Sequence, residues 1–492
     1  MTNPELSPEQ FRLSLTRRSF LSASVQGIGA AALASLLSRD LPGAPGAPGA
    51  ASRGQPGLPH FAPRAKRLIC LWQGGGPSHV DLFDHKPTLQ KMAGQDVPAA
   101  IRGDTRLSTM SSGYTKWPCT PAIAPFARHG RHGLELSTLL PHTGSIADEI
   151  CVVRSMNTEA VNHAPGVTFF MTGSQIPGRP ALGAWLSYGL GSMTEDLPAF
   201  VVMTSSDRNK TCGQLFFEHY WSNGFLPGRH QGVRFRGVGD PVPYVGNPPG
   251  VSREARRTLL DGLQAINREH FGLTGDPEIE TRISQYEMAF RMQASVPGLL
   301  DFSGEPKSVL EMYGPDVLTP GTFANNCLIA RRLAERGVRF TQLMHSGWDQ
   351  HNNLTTGQLA EQCRDTDQPS AALVRDLKQR GLLEDTVVVW GGEFGRTPFG
   401  QNQQGQGYKG RDHFGKAYSW WLAGGGVKAG HVHGETDEFG WNITRDPVHV
   451  HDMQATLLRL FGINHEALTY RYQGRQFRLT DVHGEVVQGL LA

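Results

Sequence analysis

The chain has 492 residues, of which 39% are hydrophobic, so it is long enough for one large domain or two ordinary ones. Its formal net charge is only +2 at pH 7, which argues against a nucleic-acid partner and against attachment to an anionic membrane surface. None of the six cysteines forms a CxxC pair, so a zinc site built from thiolates is not expected.

The N-terminus has the features of a twin-arginine export signal. Arg17 and Arg18 precede Phe20 and Leu21, and a weakly apolar stretch rich in glycine and alanine follows at 23–37. That stretch has about 15 residues, whereas a membrane span needs about 20. A chance arginine pair before a short helix is the alternative. We expect export to the periplasm or the extracellular space, with no transmembrane segment left after signal removal.

Composition divides the chain into three parts. Residues 1–40 form the expected signal segment, and residues 41–63, which repeat Ala-Pro-Gly, form an expected disordered linker. Residues 64–492 show no internal repeat and no clear interdomain linker. We therefore expect this last part to fold as a single α/β domain.

The mature chain alternates predicted strands and predicted helices. An apolar run at 66–72 predicts a first strand, which leads into a glycine-rich turn with Asp81 and Asp84 near the strand end. Later apolar runs at 338–344 and 386–390 flank a helical pattern. This alternation predicts an α/β fold with a mostly parallel central sheet and helices on both of its faces.

Acidic and histidine side chains follow the predicted strands. Open α/β sheets bind their ligands at the carboxyl ends of the strands, so these side chains are expected to share a site. Oxygen and nitrogen ligands suit a hard or borderline divalent cation, which would be zinc, calcium or magnesium. The candidate metal ligands are Asp81, Asp349, His351, Glu393, Asp412 and His413.

Each candidate also has a structural interpretation. Asp349 and His351 are two residues apart, so an extended segment would point both to one side, but a turn aspartate beside a solvent-exposed histidine is the alternative. Glu393 could ligate a metal, act as a general base or form an internal ion pair with Arg396. Asp412 could anchor its loop. The sequence leaves these alternatives open.

Two histidines near the C-terminus are interpreted as structural. His449 and His451 alternate with valines ahead of a helical pattern that Asp452 could cap. Strand-like entry into a capped helix explains them without a ligand.

Motifs spread along the mature chain resemble those of one protein family. They lie at 74–84, 162–163, 171–173, 348–351, 392–398, 410–413, 448–452 and 474–481. In this order they resemble the sulfatase-like proteins of "domain of unknown function 1501", which are related to the alkaline phosphatase superfamily. The resemblance implies export, an alkaline phosphatase-like fold, and divalent cations held by aspartates and histidines at strand ends.

The resemblance also implies where a nucleophile would stand, and there the chain departs from the superfamily. In sulfatases the nucleophile begins a helix that ends in Leu-Thr-Gly, and the same spacing back from 171–173 reaches His163. The arginine that follows the sulfatase nucleophile is missing. His163 could be a nitrogen ligand, a nucleophile or a polar core group. By the same resemblance Asp81 is the preferred ligand from the first strand, with helix capping as its alternative.

These features favour an exported, metal-dependent hydrolase of sulfate or phosphate esters, with small molecules and carbohydrates as substrate classes. Water activated by the metal would attack, and Arg396 would neutralise the developing negative charge. His163, Glu393 and Arg396 are the expected catalytic residues. The alternative is a non-catalytic binding or scaffold protein that retains the fold. The metal hypothesis requires at least three candidate side chains to approach one point within about 4–5 Å.

Overall fold

A computed structural model of the chain describes residues 54–105, 107–205, 216–237, 239, 241–242, 246–352, 354, 358–401 and 409–492. The predicted signal segment and most of the predicted linker lie outside the described residues. The chain from residue 51 onward forms one compact unit. In the ranges above, no helix is long and apolar enough to cross a membrane.

Within the described residues, a sheet of nine strands lies at the centre of this unit. In chain order the strands are β1 Arg67–Gln73, β2 Ile150–Asn157, β3 Phe200–Thr204, β4 Val233–Phe235, β5 Phe340–His345, β6 Thr386–Gly391, β7 Tyr418–Ala423, β8 His431–His433 and β9 Val448–His449. Their order across the sheet is β8-β2-β7-β6-β1-β5-β3-β4, and β9 also pairs with β2. Among these nine strands only β7 runs antiparallel to its neighbours, so the prediction of a mostly parallel sheet is confirmed.

The central strand β1 shows why the apolar runs become strands. It lies between β5 and β6 and pairs in parallel with both. Leu68 and Trp72 pack into one hydrophobic core, whereas Ile69 and Leu71 pack into the other, because side chains along a strand alternate between its two faces. A parallel strand that is buried on both faces must be apolar throughout, which explains its continuous hydrophobic run.

Helices cover both faces of the sheet, as predicted. The main helices are α1 His163–Thr172, α2 Leu182–Leu190, α3 Arg253–Thr274, α4 Pro277–Leu300, α5 Phe323–Glu335, α6 Gln358–Gln379 and α7 Val450–Leu460. α5 and α6 share a core with Ile69 and Leu71, whereas α1, α2 and α7 pack on the side of Trp72. α3 and α4 pack against each other.

Shorter elements complete the unit. The short helices are His79–Leu82, Pro87–Lys91, Ala99–Arg102, Pro141–Gly144 and Lys307–Tyr313, and the 3-10 helices are Glu218–Trp221, Gly228–His230, Leu383–Asp385 and Gln488–Leu490. Four strand pairs lie outside the central sheet: Phe126–His129 with Leu134–Ser137, Gly395–Arg396 with His413–Phe414, Glu435–Thr436 with Ile443–Arg445, and Tyr470–Tyr472 with Arg475–Phe477. The second of these pairs joins the segment after β6 to the segment before β7.

The end of the expected linker is attached to the folded unit. The backbone N–H of Gln55 donates to the Gly189 carbonyl at 2.8 Å, and that of Phe61 donates to the Gly462 carbonyl at 2.9 Å. Residues 54–63 are therefore held by backbone hydrogen bonds, which the Ala/Pro/Gly composition of the linker did not indicate.

Candidate metal centre

Four side chains from separate segments meet at one edge of the sheet. His163 begins α1 after the end of β2, Asp349 and His351 follow β5, and His413 precedes the antiparallel strand β7. The carboxyl ends of the parallel strands and the start of β7 lie at this edge. Each side chain offers one ligand atom, and the four atoms all lie within 4.8 Å of one another. We call these four residues the His/Asp cluster.

Asp349 Oδ1 lies between the three imidazoles. It is 2.8 Å from His351 Nε2 and 3.3 Å from both His163 Nε2 and His413 Nε2. The Nε2 atoms of His351 and His413 are 3.0 Å apart. Three of the six candidate ligands thus approach one point, as the metal hypothesis requires, and His163 joins them.

The outer nitrogen of each imidazole in the His/Asp cluster faces an oxygen acceptor. The three pairs are His163 Nδ1 with Glu393 Oε1 at 2.6 Å, His351 Nδ1 with Gln401 Oε1 at 2.5 Å, and His413 Nδ1 with the Val161 carbonyl at 2.8 Å. When the single proton of a neutral ring lies on Nδ1 and bonds to one of these acceptors, Nε2 is left with a lone pair that can bind a cation. With no cation bound, an Nε2–H can instead donate to Asp349 Oδ1. Histidines that ligate metals have this arrangement of outer partners.

The chemistry of these atoms fits a divalent cation. At 3.0 Å the Nε2 atoms of His351 and His413 are compatible in two ways: one of them carries a proton and donates to the other, or both direct lone pairs at a cation. Arg396 donates to Asp349 and offsets the negative charge of that carboxylate, but it does not hydrogen-bond to the imidazoles. Three nitrogens and one oxygen are a ligand set that zinc and related metals accept, whereas calcium and magnesium prefer oxygen ligands.

Burial and neighbouring charges set the protonation of the His/Asp cluster. Burial opposes ionisation of Asp349, but Arg396 and the three histidines outweigh it and hold the pKa of Asp349 well below its usual range. Burial lowers the pKa of His413 to about 4, so this ring is neutral at pH 7. Burial also acts to lower the pKa of His163, but hydrogen bonds to Asp349 and Glu393 raise it overall. A cation therefore displaces a proton most directly at His163.

Arg396, which was expected to neutralise charge on a substrate, is hydrogen-bonded to acceptors inside the protein. Its side chain is 1% exposed and donates to Asp349 and to the backbone carbonyls of Gly75, Gly76 and Arg411. A guanidinium committed to these acceptors does not face solvent or an anionic substrate. Arg396 instead joins the glycine-rich turn after β1 to the segment that carries Asp349.

Glu393 contacts the Nδ1 side of the His163 ring and is not one of the four residues of the His/Asp cluster. Its Oε1 accepts from His163 Nδ1 and, at 3.0 Å, from the backbone N–H of Gly75. A Cβ at position 166 would lie 3.0 Å from Glu393 Cβ, so Gly166 lets the first turn of α1 approach this carboxylate. The carboxylate therefore orients an imidazole, which is the usual position for the outer partner of a metal ligand.

Asp81 lies in a buried ion pair outside the His/Asp cluster. Arg411 Nε donates to Asp81 Oδ2 at 2.7 Å, Ser78 donates to the same oxygen, and the Ile123 backbone N–H donates to Oδ1 at 3.1 Å. Both oxygens are thus held by donors, and the expected ligand from the first strand compensates a buried guanidinium.

Asp412 anchors its loop, which is the structural alternative given above. Its Oδ2 accepts from the hydroxyl groups of Ser108 and Ser111, and its Oδ1 accepts from the backbone N–H of His413 at 2.7 Å. The side chain therefore points away from the His/Asp cluster and fixes the backbone that carries His413.

A glycine is required where the turn after β1 meets the segment after β5. Gly75 has φ +119°, and a Cβ there would lie 2.7 Å from the backbone nitrogen of Asp349. This close approach lets Gly75 donate to Glu393 while its carbonyl accepts from Arg396. The glycine-rich motif thus supports the site through its backbone.

Two partners of the cluster histidines were missed by the sequence analysis. Gln401 lies in a loop rich in glycine and glutamine, and the Val161 backbone carbonyl carries no side-chain signal at all. The only sequence clue to Val161 is its position two residues before His163.

Fold and site together define a mostly parallel α/β protein with a candidate divalent-metal centre at its strand ends. The sequence matches the model of the family described as "Protein of unknown function (DUF1501)" over residues 65–491. Because the match spans most of the chain, the protein belongs to this family, and the family part of the predicted resemblance is confirmed. No curated protein sequence matches the chain.

Several solved structures are similar at a low level. The PsFucS1 sulfatase from Pseudoalteromonas sp. is 14% identical, with 83% of this chain and 69% of that chain covered and a TM-score of 0.35. A protein in the alkaline phosphatase superfamily from Vibrio parahaemolyticus is 11% identical, with 82% and 69% covered and a TM-score of 0.33. The C-terminal periplasmic domain of EcEptC from Escherichia coli, in complex with Zn, is 8% identical, with 87% and 97% covered and a TM-score of 0.32. TM-scores this low carry no argument about function.

Proposed function

We propose that this protein is a metal-dependent hydrolase of sulfate or phosphate esters, with the cation held by His163, Asp349, His351 and His413. The observation that carries the proposal is the convergence of three Nε2 atoms and one carboxylate oxygen within 4.8 Å. The Nδ1 atom of each imidazole is held by an oxygen acceptor. The ligand set favours a zinc-like ion over the calcium or magnesium that the sequence left open. When bound, such an ion supplies Lewis-acid stabilisation of negative charge and activates water.

The chain's own residues orient the site and limit access to it. The His163 side chain is 17% exposed, whereas the side chains of Asp349 and His413 are 1% and 3% exposed. An ester would therefore approach past His163, whose ring Glu393 holds in place. Phe394 lies 5.0 Å from the His163 ring and 4.6 Å from the His413 ring, and its apolar surface excludes water from that side.

Attack by water, without a covalent enzyme intermediate, is the mechanism we propose. Among the described residues, no serine, threonine or cysteine side chain hydrogen-bonds to the His/Asp cluster. His163 stands where sulfatases carry their nucleophile, and its two nitrogens face Glu393 and Asp349. We assign it as a metal ligand, and we assign Glu393 and Arg396 as positioning residues.

A non-catalytic metal-binding protein is the second candidate. The low exposure of the cluster favours this candidate. The hydrogen bonds of Arg396 to internal acceptors also favour it, because this guanidinium is then not available to bind a substrate anion. A purely structural metal would also need no substrate path.

Metal analysis combined with ester turnover separates these candidates. Protein purified without added metal is analysed for its elemental content and assayed with panels of aryl sulfate and aryl phosphate esters. The hydrolase proposal expects about one zinc-like ion per chain and turnover that is lost in His413→Ala. Metal without turnover would select the second candidate, and protein that binds no added divalent metal would contradict both. Glu159→Gln, which lies outside the cluster, is the matched control.

Export by the twin-arginine pathway is a separate proposal. It rests on Arg17 and Arg18 ahead of the weakly apolar stretch at 23–37. Replacing both arginines by lysine keeps the charge, and we expect this change to trap the protein in the cytoplasm when cell fractions are compared. Unchanged export of that variant would contradict the proposal.

A further inference from the structure

A polar cavity lies between the end of α1 and the beginning of α7. It has a volume of about 900 Å³, and the residues that line it include Glu159, Phe169, Gly173 and His451. Gly173 caps the C-terminal end of α1, whereas the His/Asp cluster contains the first residue of the same helix. Ten residues of helix at about 1.5 Å per residue place Gly173 about 15 Å from His163. We call this second region the acidic cavity.

The ring of His451 is fixed so that one nitrogen faces the acidic cavity. Gln454 Nε2 donates to the carbonyls of Phe169 and Phe170 at 3.0 and 2.7 Å, which fixes the orientation of the amide. Gln454 Oε1 must then accept from His451 Nδ1, 3.0 Å away. The Nε2 atom therefore carries a lone pair, and no described residue donates to it. His451 is only 3% exposed as a residue, and it lines the cavity with no described donor to its Nε2 atom.

The charges around this acceptor are mainly negative. Five carboxylates and two guanidinium groups line the acidic cavity: Glu159, Asp452, Glu466, Asp481 and Glu485, with Arg179 and Arg478. Arg179 pairs with Asp481 at 3.0 Å, and Arg478 pairs with Glu466 at 3.1 Å. Glu159 pairs with His449 at 3.0 Å, and Asp452 accepts from the backbone N–H groups of His449 and Glu485. Among the described residues none pairs with the exposed carboxylate of Glu485. The hydrogen bond from His449 lowers the pKa of Glu159 to about 2, so Glu159 is ionised.

These features exclude two ligand classes. An anion is disfavoured because carboxylates outnumber the guanidinium groups of the cavity and because Arg179 and Arg478 are already paired with carboxylates. A metal ion needs several converging ligand atoms, and in the described part of the chain the only group of this kind is the His/Asp cluster. What remains is a cation that donates hydrogen bonds.

We propose that the acidic cavity binds an organic cation with a primary ammonium group, which donates to His451 Nε2 and is balanced by Glu159 and Glu485. The ammonium has three N–H donors and a positive charge, so it satisfies a neutral acceptor and carboxylates together. The cavity volume accommodates a ligand of monosaccharide size. This binding is independent of the metal centre and would give the protein a second site.

Calorimetric titration of the metal-loaded, full-length protein tests the proposal. Glucosamine is the probe, and glucose, which replaces the ammonium by a hydroxyl group on the same ring, is the matched control ligand. We expect glucosamine to bind and glucose to bind at least about 10-fold more weakly, because a hydrogen bond to a charged group and the cavity charge are both lost. Equal binding of the two sugars, or no binding of glucosamine, would overturn the proposal.

Variants identify the site. Glu485→Gln changes an exposed side chain that has no structural partner to lose, and we expect it to weaken glucosamine binding several-fold. His451→Phe keeps a ring of similar shape and should weaken binding by about 10-fold or more. The control is Glu384→Gln, an exposed change outside the cavity that should leave the affinity unchanged.

Two outcomes would overturn the proposal. If added zinc bound stoichiometrically and His451→Phe abolished that binding, the cavity would be a metal site. Unchanged glucosamine affinity in both cavity variants would also overturn the proposal.

Discussion

The His/Asp cluster and the acidic cavity lie at opposite ends of α1 and use histidine in the same way. At one end Glu393 holds His163 Nδ1, and at the other Gln454 holds His451 Nδ1, so that in each case Nε2 is the nitrogen directed at the site. They differ in how the acceptors are arranged. The cluster gathers three such nitrogens and a carboxylate within 4.8 Å, whereas in the cavity His451 and the carboxylates are distributed around about 900 Å³.

Fixing one imidazole therefore does not define its ligand. Convergence of several fixed acceptors on one point selects a metal ion, because only a small ion of high charge can satisfy all of them at once. A single fixed acceptor among separated carboxylates selects a larger cation with several donors. The predictions below test this difference between the two regions.

The largest expected effect is that of Asp349→Asn. This change removes the anionic ligand and leaves the buried guanidinium of Arg396 without its counter-ion. We expect metal content to fall to trace levels and the free energy of unfolding to fall by about 3–5 kcal/mol. Elemental analysis and denaturant unfolding measure the two effects. Glu485→Gln in the cavity should change neither, and full metal content in Asp349→Asn would contradict the assignment of the cluster.

Asp81→Asn should separate stability from metal binding. Asp81 and Arg411 are fully buried partners, so loss of the charge should again cost about 3–5 kcal/mol of unfolding free energy. Because Asp81 lies outside the cluster, metal content per folded chain should remain that of the wild type. If Asp81→Asn lost its metal while still folded, Asp81 would belong to the metal site as the sequence analysis expected.

Glu393→Gln tests the outer partner of His163. The amide can still accept a hydrogen bond but no longer places a negative charge behind the imidazole. We expect metal affinity to fall by about 10–100-fold with little loss of structure. Competition with a chelator measures the affinity. The matched control is Glu159→Gln, which removes the carboxylate that faces His449 in the cavity and should leave metal affinity unchanged.

The smallest expected effect is on pH-dependent stability through His451. Burial lowers the pKa of His451 to about 4, whereas an unfolded histidine titrates near 6.5. Between these values the unfolded chain binds more protons, so the stability from neutral His451 is present above about pH 6.5 and is lost as pH falls toward 4. As pH falls over this range, we expect the Tm of the wild type to decrease by a few degrees more than the Tm of His451→Phe. Parallel Tm profiles of the two proteins would contradict this prediction.

Much of the fold could be predicted from the sequence. The runs that become β1, β5 and β6 are apolar throughout because the parallel strands at the centre of the sheet are buried on both faces. The helix capped by Asp452 could also be predicted, since a carboxylate three residues after the N-cap His449 is a local signal. Such features depend on neighbours along the chain, and the sequence shows those directly.

The residues of the candidate metal site could be predicted only in part. Asp349, His351 and His413 follow or precede strands that meet at one edge, so their meeting is a consequence of sheet order. The sequence also left a ligand role open for His163. It could not decide that Asp81 faces Arg411, because these residues are 330 positions apart and their pairing exists only in the folded chain.

The family, the positions of the central strands, and the acidic and histidine residues near the strand ends can thus be predicted from the sequence. The tertiary structure alone decided which carboxylate meets a guanidinium, which meets an imidazole and which meets a serine hydroxyl. The physical reason is that a buried carboxylate is stabilised by whichever donors the fold places within about 3 Å of it. Asp81, Asp349 and Asp412 look alike in sequence, and their neighbours in space give them three different roles.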